Sequence, residues 1–250
     1  MKIIPLSEGS FSIDQTKQFV PFHKESDNLQ ERPVGSLLVE VQPFVVITSE
    51  DVLLLDAGLG FRGADGRLQL HHNLMANGIN PGEITKVLMT HLHKDHAGGV
   101  SYKDDSGEYQ TAFPQATYYI QKAELDFAFE KGLPSFVPEE LEVLRTAPNV
   151  KILDGNGVID SYIKYEVTGG HSPFHQVFWI VDGGEIVFFG GDEAPQLNQM
   201  RKKYIAKYDY DGKRAMELRQ LWWEQGQAEG WTFLFYHDVK GGVYPTTGTN

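Results

Sequence analysis

"THLHKDHAGGV", Thr90–Val100, crowds three histidines and an aspartate into six residues of a 250-residue chain that holds nine histidines in all. The spacing is His91-x-His93-x-Asp95-His96, and the apolar run "KVLM" leads directly into it. That run reads as a short buried strand. If His91 and His93 continue the strand, alternation points both imidazoles to one side. Asp95 and His96 then lie past a turn and face the same point from another direction. Imidazole nitrogens and carboxylate oxygens are donors suited to Zn2+ and similar divalent ions. A polar loop of solvated histidines is the alternative, and it gives no reason for four donors at these offsets. The cluster is expected to be one edge of a metal site.

Such a site needs donors from elsewhere in the chain. His171 in "VTGGHSPFH" and Asp192 in "VFFGGDEAP" each follow an expected strand and a Gly-Gly pair, and His237 in "FLFYHD" ends the last expected strand. All three stand where strands stop, where functional groups commonly project from a rigid sheet. Asp56, closing "LLLD", is expected to orient a ligand imidazole or to fix its own turn. Other residues are set aside. His175 is assigned to packing or loop, His71 and His72 to the solvated part of a helix, and His23 to loop surface. Lys94 is expected to point away from the donors around it.

Outward from the motif, Ser36–Gly60 reads as three short β-runs divided at Gln42-Pro43 and Ser49-Glu50-Asp51. "LQLHHNLMANGI" reads as a helix ending near Gly78, "ATYYIQ" as a strand, and "KAELDFAFEKG" as a helix stopped by Gly132. "PEELEVLRTA" is a second short helix with Pro138 in its first turn. "KYEVTGG", "HQVFWIVDGG" and "GEIVFFGGD" are strands, "GKRAMELRQLWWEQGQAEG" is a long helix, and "WTFLFYHD" is a final strand. The pair Trp222-Trp223 sits on the long helix, where core packing accounts for at least one of them. Strands come mostly in hairpin-like groups, which favours mixed α/β layers over a doubly wound parallel sheet. No repeat or linker divides the chain, so residues 1–250 are expected to form one domain.

Composition narrows the function. Hydrophobic residues make up 41% and charged residues 22%, the balance of a globular protein. The formal net charge is −12, with no Lys/Arg-rich run, so a nucleic acid partner is not expected. There is no cysteine, which excludes disulfides, thiolate nucleophiles and cysteine metal ligands. "MKIIPLSEGS" is too weakly apolar for a signal peptide, and no apolar stretch approaches the roughly 20 residues of a membrane span. A cytoplasmic protein acting on a small molecule is expected, and aromatics near the cleft would allow a homodimer.

The residues His91–His96, "GGH" at His171, "GGD" at Asp192, "HD" at His237 and the upstream Asp56 occur in an order that resembles the metallo-β-lactamase-fold hydrolases. The resemblance runs from about Pro33 to Asp238. It implies a four-layer αβ/βα sandwich with two divalent ions at one edge of its two sheets. Zinc is the first expectation, and manganese and iron suit the same donors. It further implies that His91, His93 and His171 hold one ion, that Asp95, His96 and His237 hold the other, and that Asp192 bridges them. Two such ions acidify a shared water to a hydroxide that attacks an ester or lactone carbonyl, with Asp95 moving the proton and Asp192 holding the pair.

Departures within that family bear on the substrate. Its β-lactamase branches use a cysteine ligand or lack the bridging aspartate, so this chain fits them poorly. His93 argues against flavo-diiron relatives, which carry a glutamate there, and the 13 residues after His237 leave no room for a glyoxalase II-like glutathione platform. The layout is nearest to N-acyl-homoserine lactonase-like members, with aromatic-rich "SFSIDQTKQFVPF" and "ELDFAFEKGLPSFVP" as candidate walls for an acyl chain. Those lactonases place a tyrosine shortly after the bridging aspartate. Here "DEAPQ" follows Asp192, so another group must stabilise the oxyanion. Phosphotriester, phosphodiester or thioester hydrolysis on the same site is the alternative, and a mononuclear-iron sulfur dioxygenase is a second.

Overall fold

In the computed structural model, which describes residues 1–247, the three runs expected within Ser36–Gly60 form strands Leu37–Val41, Phe44–Ile47 and Val52–Leu55. Their alternation shows how the layers stack. Val45 and Leu54 face one core, whereas Phe44, Val46, Leu53 and Leu55 face another. Strand Thr117–Gln121 repeats the split, with Tyr118 and Ile120 on the first side and Tyr119 on the second. In strand Gln176–Asp182, Phe178 and Ile180 join that second core, while Val177 and Trp179 face a third. A period of two with both faces apolar means a sheet covered on both sides.

Three cores between four layers follow. Helices Gln69–Ala76 and Lys122–Lys131 place Leu70, Leu74, Leu125 and Ala128 in the first core. The two sheets meet at the second. Helix Gly212–Glu229 closes the third with Trp222, against which Trp179 and Phe188 pack. Trp222 is buried and its neighbour Trp223 only partly so, which divides the pair as the helical pattern implies.

Each main sheet has six strands. The first runs in the order Lys2–Pro5, Phe44–Ile47, Val52–Leu55, Lys86–Leu88, Thr117–Gln121, Val150–Leu153, antiparallel at its first two junctions and parallel at the rest. The second runs Gly157–Ile159, Ile163–Val167, Gln176–Asp182, Glu185–Phe189, Thr232–Leu234, Val243–Pro245. Ile163–Val167 and Glu185–Phe189 both pair antiparallel with Gln176–Asp182, and Thr232–Leu234 pairs parallel with Glu185–Phe189. Those three strands therefore point the same way and deliver their C-terminal ends to one edge. A small sheet of Gly9–Ile13, Phe19–Pro21 and Leu37–Val41 stands beside that edge, where its residues line the cavity described below.

Two expectations need correction. The final run is a strand only over Thr232–Leu234, and "PEELEVLRTA" forms two separate turns of helix, Pro138–Leu141 and Val143–Thr146. The strand that feeds the histidine motif is fixed at its start. Lys86 Nζ lies 2.5 Å from Asp51 Oδ2, and the Asp51 carboxylate also accepts from Thr85 and Tyr162. Burial opposes a charge on Asp51, but these donors outweigh it and hold its carboxyl below the usual aspartate range. A depressed pKa stabilises the fold above the unfolded value of about 3.9, and the benefit fades as pH falls through the folded value. Asp51→Asn should therefore cost about 1 kcal/mol at neutral pH. In denaturant titrations its gap to the unsubstituted protein should close in acid below that value. A gap that persisted there would remove the charge from the explanation.

Candidate metal centre

The motif lies beyond its strand rather than on it. The strand closes at Leu88, and Lys94–Ala97 is a single helical turn that His93 precedes as cap. His91 and His93 thus converge through a loop, while Asp95 and His96 come from the turn. His171 lies four residues past the end of strand Ile163–Val167, Asp192 three past Glu185–Phe189, and His237 three past Thr232–Leu234. The shared direction of these strands brings all seven residues expected as ligands to one edge.

The Gly-Gly pairs that precede two of them have a steric cause. A Cβ on Gly170 would fall 1.8 Å from Glu193 Oε1. Gly191 has φ +48°, and a Cβ there would fall 2.6 Å from Thr90 Oγ1. Only glycine lets the backbone before His171 and Asp192 approach this closely.

Three ring nitrogens face one another. His91 Nε2 is 2.9 Å from His93 Nδ1, which is 3.1 Å from His171 Nε2. Burial, reinforced by surrounding imidazoles, holds His91 well below the usual histidine range and pushes His93 down to about 3. Neutral rings are the form that binds a cation. A tetrahedral zinc with nitrogen ligands at about 2.0–2.1 Å sets those nitrogens roughly 3.3 Å apart, close to the observed spacing.

Asp95, His96 and His237 form a second donor set. His237 Nε2 lies 3.4 Å and His96 Nε2 3.7 Å from Asp95 Oδ2. Asp192 reaches both sets. Its Oδ2 is 3.2 Å from His171 Nε2, and its Oδ1 is 3.2 Å from His96 Nε2 and 3.0 Å from His237 Nε2. Although Asp192 Oδ1 and His96 Nε2 are close, they are not aligned as a hydrogen bond, and both are buried without a partner. Burial opposes the charge on His237, yet Asp192 and Asp95 outweigh it and hold that ring up at about 10. Orphaned donor atoms, clustered neutral rings and hard oxygens all fit divalent cations, so the residues present suit the ions the donor pattern implies.

The outer nitrogens are engaged as well. His96 Nδ1 is 2.7 Å from Asp56 Oδ2, His171 Nδ1 is 3.0 Å from Asp209 Oδ1, and His237 Nδ1 is 2.6 Å from the Glu40 carbonyl. Each contact turns Nε2 toward the cleft and fixes the tautomer. Asp56 orients a ligand imidazole, as expected, and its carboxylate also accepts from the N–H and Oγ1 of Thr90, 34 residues along the chain.

Glu193, Asp209 and Glu124 are support that the sequence did not reveal. Glu193 accepts from the His171 N–H and from Thr168 Oγ1, and Glu124 accepts from the Leu92 N–H and Ser172 Oγ. The one available signal was Glu193's place beside Asp192. Asp209 and Glu124 lie in an undistinguished loop and an ordinary helix.

A cavity of about 1020 Å3 opens over these groups. Ile13 and Phe19 of the first aromatic-rich segment line it as expected, and Leu37, Val39 and Ile205 add to the apolar lining. From the second segment only Ser135 reaches it, and Phe136 is buried against His93 instead. Lys94 also lines the cavity, contrary to the expectation that it turns away. His71 is half-buried and bonded to the Ala112 carbonyl rather than solvated. Among the described residues no helix is long and apolar enough to cross a membrane.

Comparisons with known proteins agree with this geometry. The chain is 28% identical over 120 residues to an N-acyl homoserine lactonase of Agrobacterium fabrum, covering 43% of this chain and 40% of that protein. It is 27% identical over 173 residues to an N-acyl homoserine lactonase of Bacillus cereus, covering 61% and 63%. The aligned part spans less than two thirds of either relative. A probable metal-dependent hydrolase from Staphylococcus aureus superposes with a TM-score of 0.78 at 21% identity, over 99% of this chain and 93% of that one. The dizinc quorum-quenching lactonase AidC superposes with a TM-score of 0.71 at 22% identity, over 96% and 88%. At such identities these likenesses speak for the fold. The model of the metallo-beta-lactamase superfamily matches residues 38–225, from the third strand of the small sheet into the long C-terminal helix. With nine of the twelve strands of the two main sheets and six of the seven clustered donors inside that span, the chain belongs to the metallo-beta-lactamase superfamily.

Proposed function

We propose that the protein is a two-metal hydrolase that cleaves an ester or lactone bond. The observation that carries this reading is Asp192, whose two carboxylate oxygens address two separate donor sets. In it His91, His93 and His171 hold one divalent ion, and Asp95, His96 and His237 the other, with Asp192 shared. When bound, the ions supply Lewis acidity and acidify a water at neutral pH. The names of the lactonase relatives support a carbonyl substrate.

The chain's own groups do the rest. Asp95 lines the cavity, takes a proton from the attacking water and returns it to the leaving alkoxide. Tyr208 supplies the oxyanion contact that no residue directly after Asp192 offers. Its half-buried phenol lines the cavity with its ring 6.0 Å from that of His171. Gln199 Nε2 donates to the Tyr208 oxygen at 3.2 Å, which leaves the phenol proton free to point at a substrate oxygen. Burial pushes the phenol's pKa up, so it remains a donor. Tyr208→Phe should lower kcat about 10²-fold with little change in KM, as loss of a transition-state donor does. Equal effects on substrate affinity, or none on kcat, would remove Tyr208 from that role.

The reading is tested by hydrolysis of N-acyl-homoserine lactones of graded acyl length, followed by proton release, with a chelator-treated control. Chelator-sensitive turnover that rises with acyl length supports it and assigns the apolar lining to the chain. Absence of turnover on lactones and on simple aryl esters would contradict it.

A further inference from the structure

The chain carries 34 acidic against 22 basic residues, yet the cavity over the donor cluster is lined by five lysines, Lys17, Lys94, Lys202, Lys203 and Lys207. Seven lysines elsewhere are paired with carboxylates: Lys24, Lys86, Lys103, Lys122, Lys131, Lys164 and Lys213. None of the five on the cavity has a carboxylate within 4.0 Å among the described residues. The acidic residues of the lining do not neutralise them. Asp14 is engaged by Thr16, and Asp95 and Asp192 face the histidines.

Three of these lysines stand on the loop between helices Leu197–Arg201 and Gly212–Glu229, and that loop is held in place. Arg219, fully buried, donates to the Tyr204 carbonyl at 2.7 Å. The Tyr210 N–H donates to the His171 carbonyl at 3.1 Å, and Asp209 bonds the His171 ring. The ammonium groups thus project from a fixed backbone, beside a donor cluster and an apolar lining. An uncompensated cationic patch inside a net-negative protein concentrates field in the cleft and draws anions to it. A neutral acyl lactone leaves that patch unused.

We propose that the cavity selects an anionic substrate, an ester or lactone with a carboxylate or phosphate group remote from the scissile bond, seated by Lys202, Lys203 and Lys207. This rests on the hydrolase reading above and narrows its substrate class. The apolar lining takes the body of the molecule, the donor cluster faces its carbonyl, and the lysines take the charge.

The test compares 4-nitrophenyl hexanoate with the mono-4-nitrophenyl ester of hexanedioic acid, equal in chain length and differing by one terminal carboxylate. A phosphate-terminated ester forms a third arm that distinguishes the two anions. The metal-loaded protein should prefer an anionic ester at least about tenfold in kcat/KM at low salt, and the preference should shrink as salt screens it. The triple variant Lys202→Gln, Lys203→Gln, Lys207→Gln should erase it. A control triple, Lys122→Gln, Lys164→Gln, Lys213→Gln, removes the same charge outside the cavity and should keep it. A preference below about twofold, or equal loss in both triples, overturns the proposal. If no ester is hydrolysed the hydrolase reading fails, and calorimetry then decides the anion site separately. Tighter binding of the monoamide of hexanedioic acid than of hexanamide, lost only in the cavity triple, upholds it. Equal binding of the two overturns it.

Discussion

Asp192→Ala should lower kcat/KM for ester or lactone hydrolysis at least about 10³-fold and leave the fold intact. Among the described residues, Asp192 is the one carboxylate whose two oxygens lie within 3.2 Å of nitrogens from both donor sets. Without it the histidines His171, His96 and His237 lose their common acceptor, and one ion loses a ligand. The two sheets do not depend on it, because their cores are formed by other residues. Circular dichroism should therefore show an unchanged spectrum while turnover disappears. Asp192→Asn, which keeps an oxygen donor but not the charge, should fall between the two. An alanine variant that is folded and fully active would place the reaction elsewhere.

Arg219→Ala should be the most destabilising substitution near the site. The guanidinium is fully buried, donates to the Glu193 carbonyl at 2.9 Å and to the Tyr204 carbonyl at 2.7 Å, and lies 3.8 Å from Asp209 Oδ2. It joins the backbone beside Asp192, the lysine-bearing loop and the carboxylate that orients His171. Removing one partner from a buried charged network costs about 3–5 kcal/mol, because the remaining charge and carbonyls stay buried without donors. For a chain of this size that corresponds to a melting temperature lower by about 10 °C in calorimetry. Arg219→Lys should recover little of it, since a single ammonium cannot reach two carbonyls in the guanidinium's fork geometry. A shift below about 2 °C for the alanine variant would show that the loop is held by other contacts.

The legible parts of the sequence were those with short-range causes. Strand alternation at Val45-Val46, Leu53-Leu54-Leu55 and Tyr118-Tyr119-Ile120 encodes a sheet apolar on both faces, and it formed as such. The donors that end strands were visible because a histidine or aspartate after Gly-Gly is conspicuous, and the glycines themselves mark close approach. Asp56 and His237 were legible because each ends an apolar run, "LLLD" and "FLFYH". What escaped depends on tertiary placement. Asp209 meets His171 across 38 residues and Glu124 meets Leu92 across 32, and neither has a local pattern that encodes the meeting. The alternation applied to His91 and His93 needed the strand to continue, but it ends at Leu88, and Lys94, expected to turn away, begins a helical turn and lines the cavity. The strands Gly9–Ile13 and Phe19–Pro21 were read only as an aromatic segment, because the partner that makes them a sheet, Leu37–Val41, lies far along the chain.

The central claim is two divalent ions held by seven side chains and needed for hydrolysis. It is tested most directly by counting metal per chain in zinc-reconstituted protein by plasma mass spectrometry, alongside turnover of an acyl lactone or aryl ester. The account predicts about two ions per chain, loss of both metal and turnover on chelation, and return of both on adding zinc. Full turnover with the metal stripped, or a single iron per chain with no hydrolysis, would contradict it.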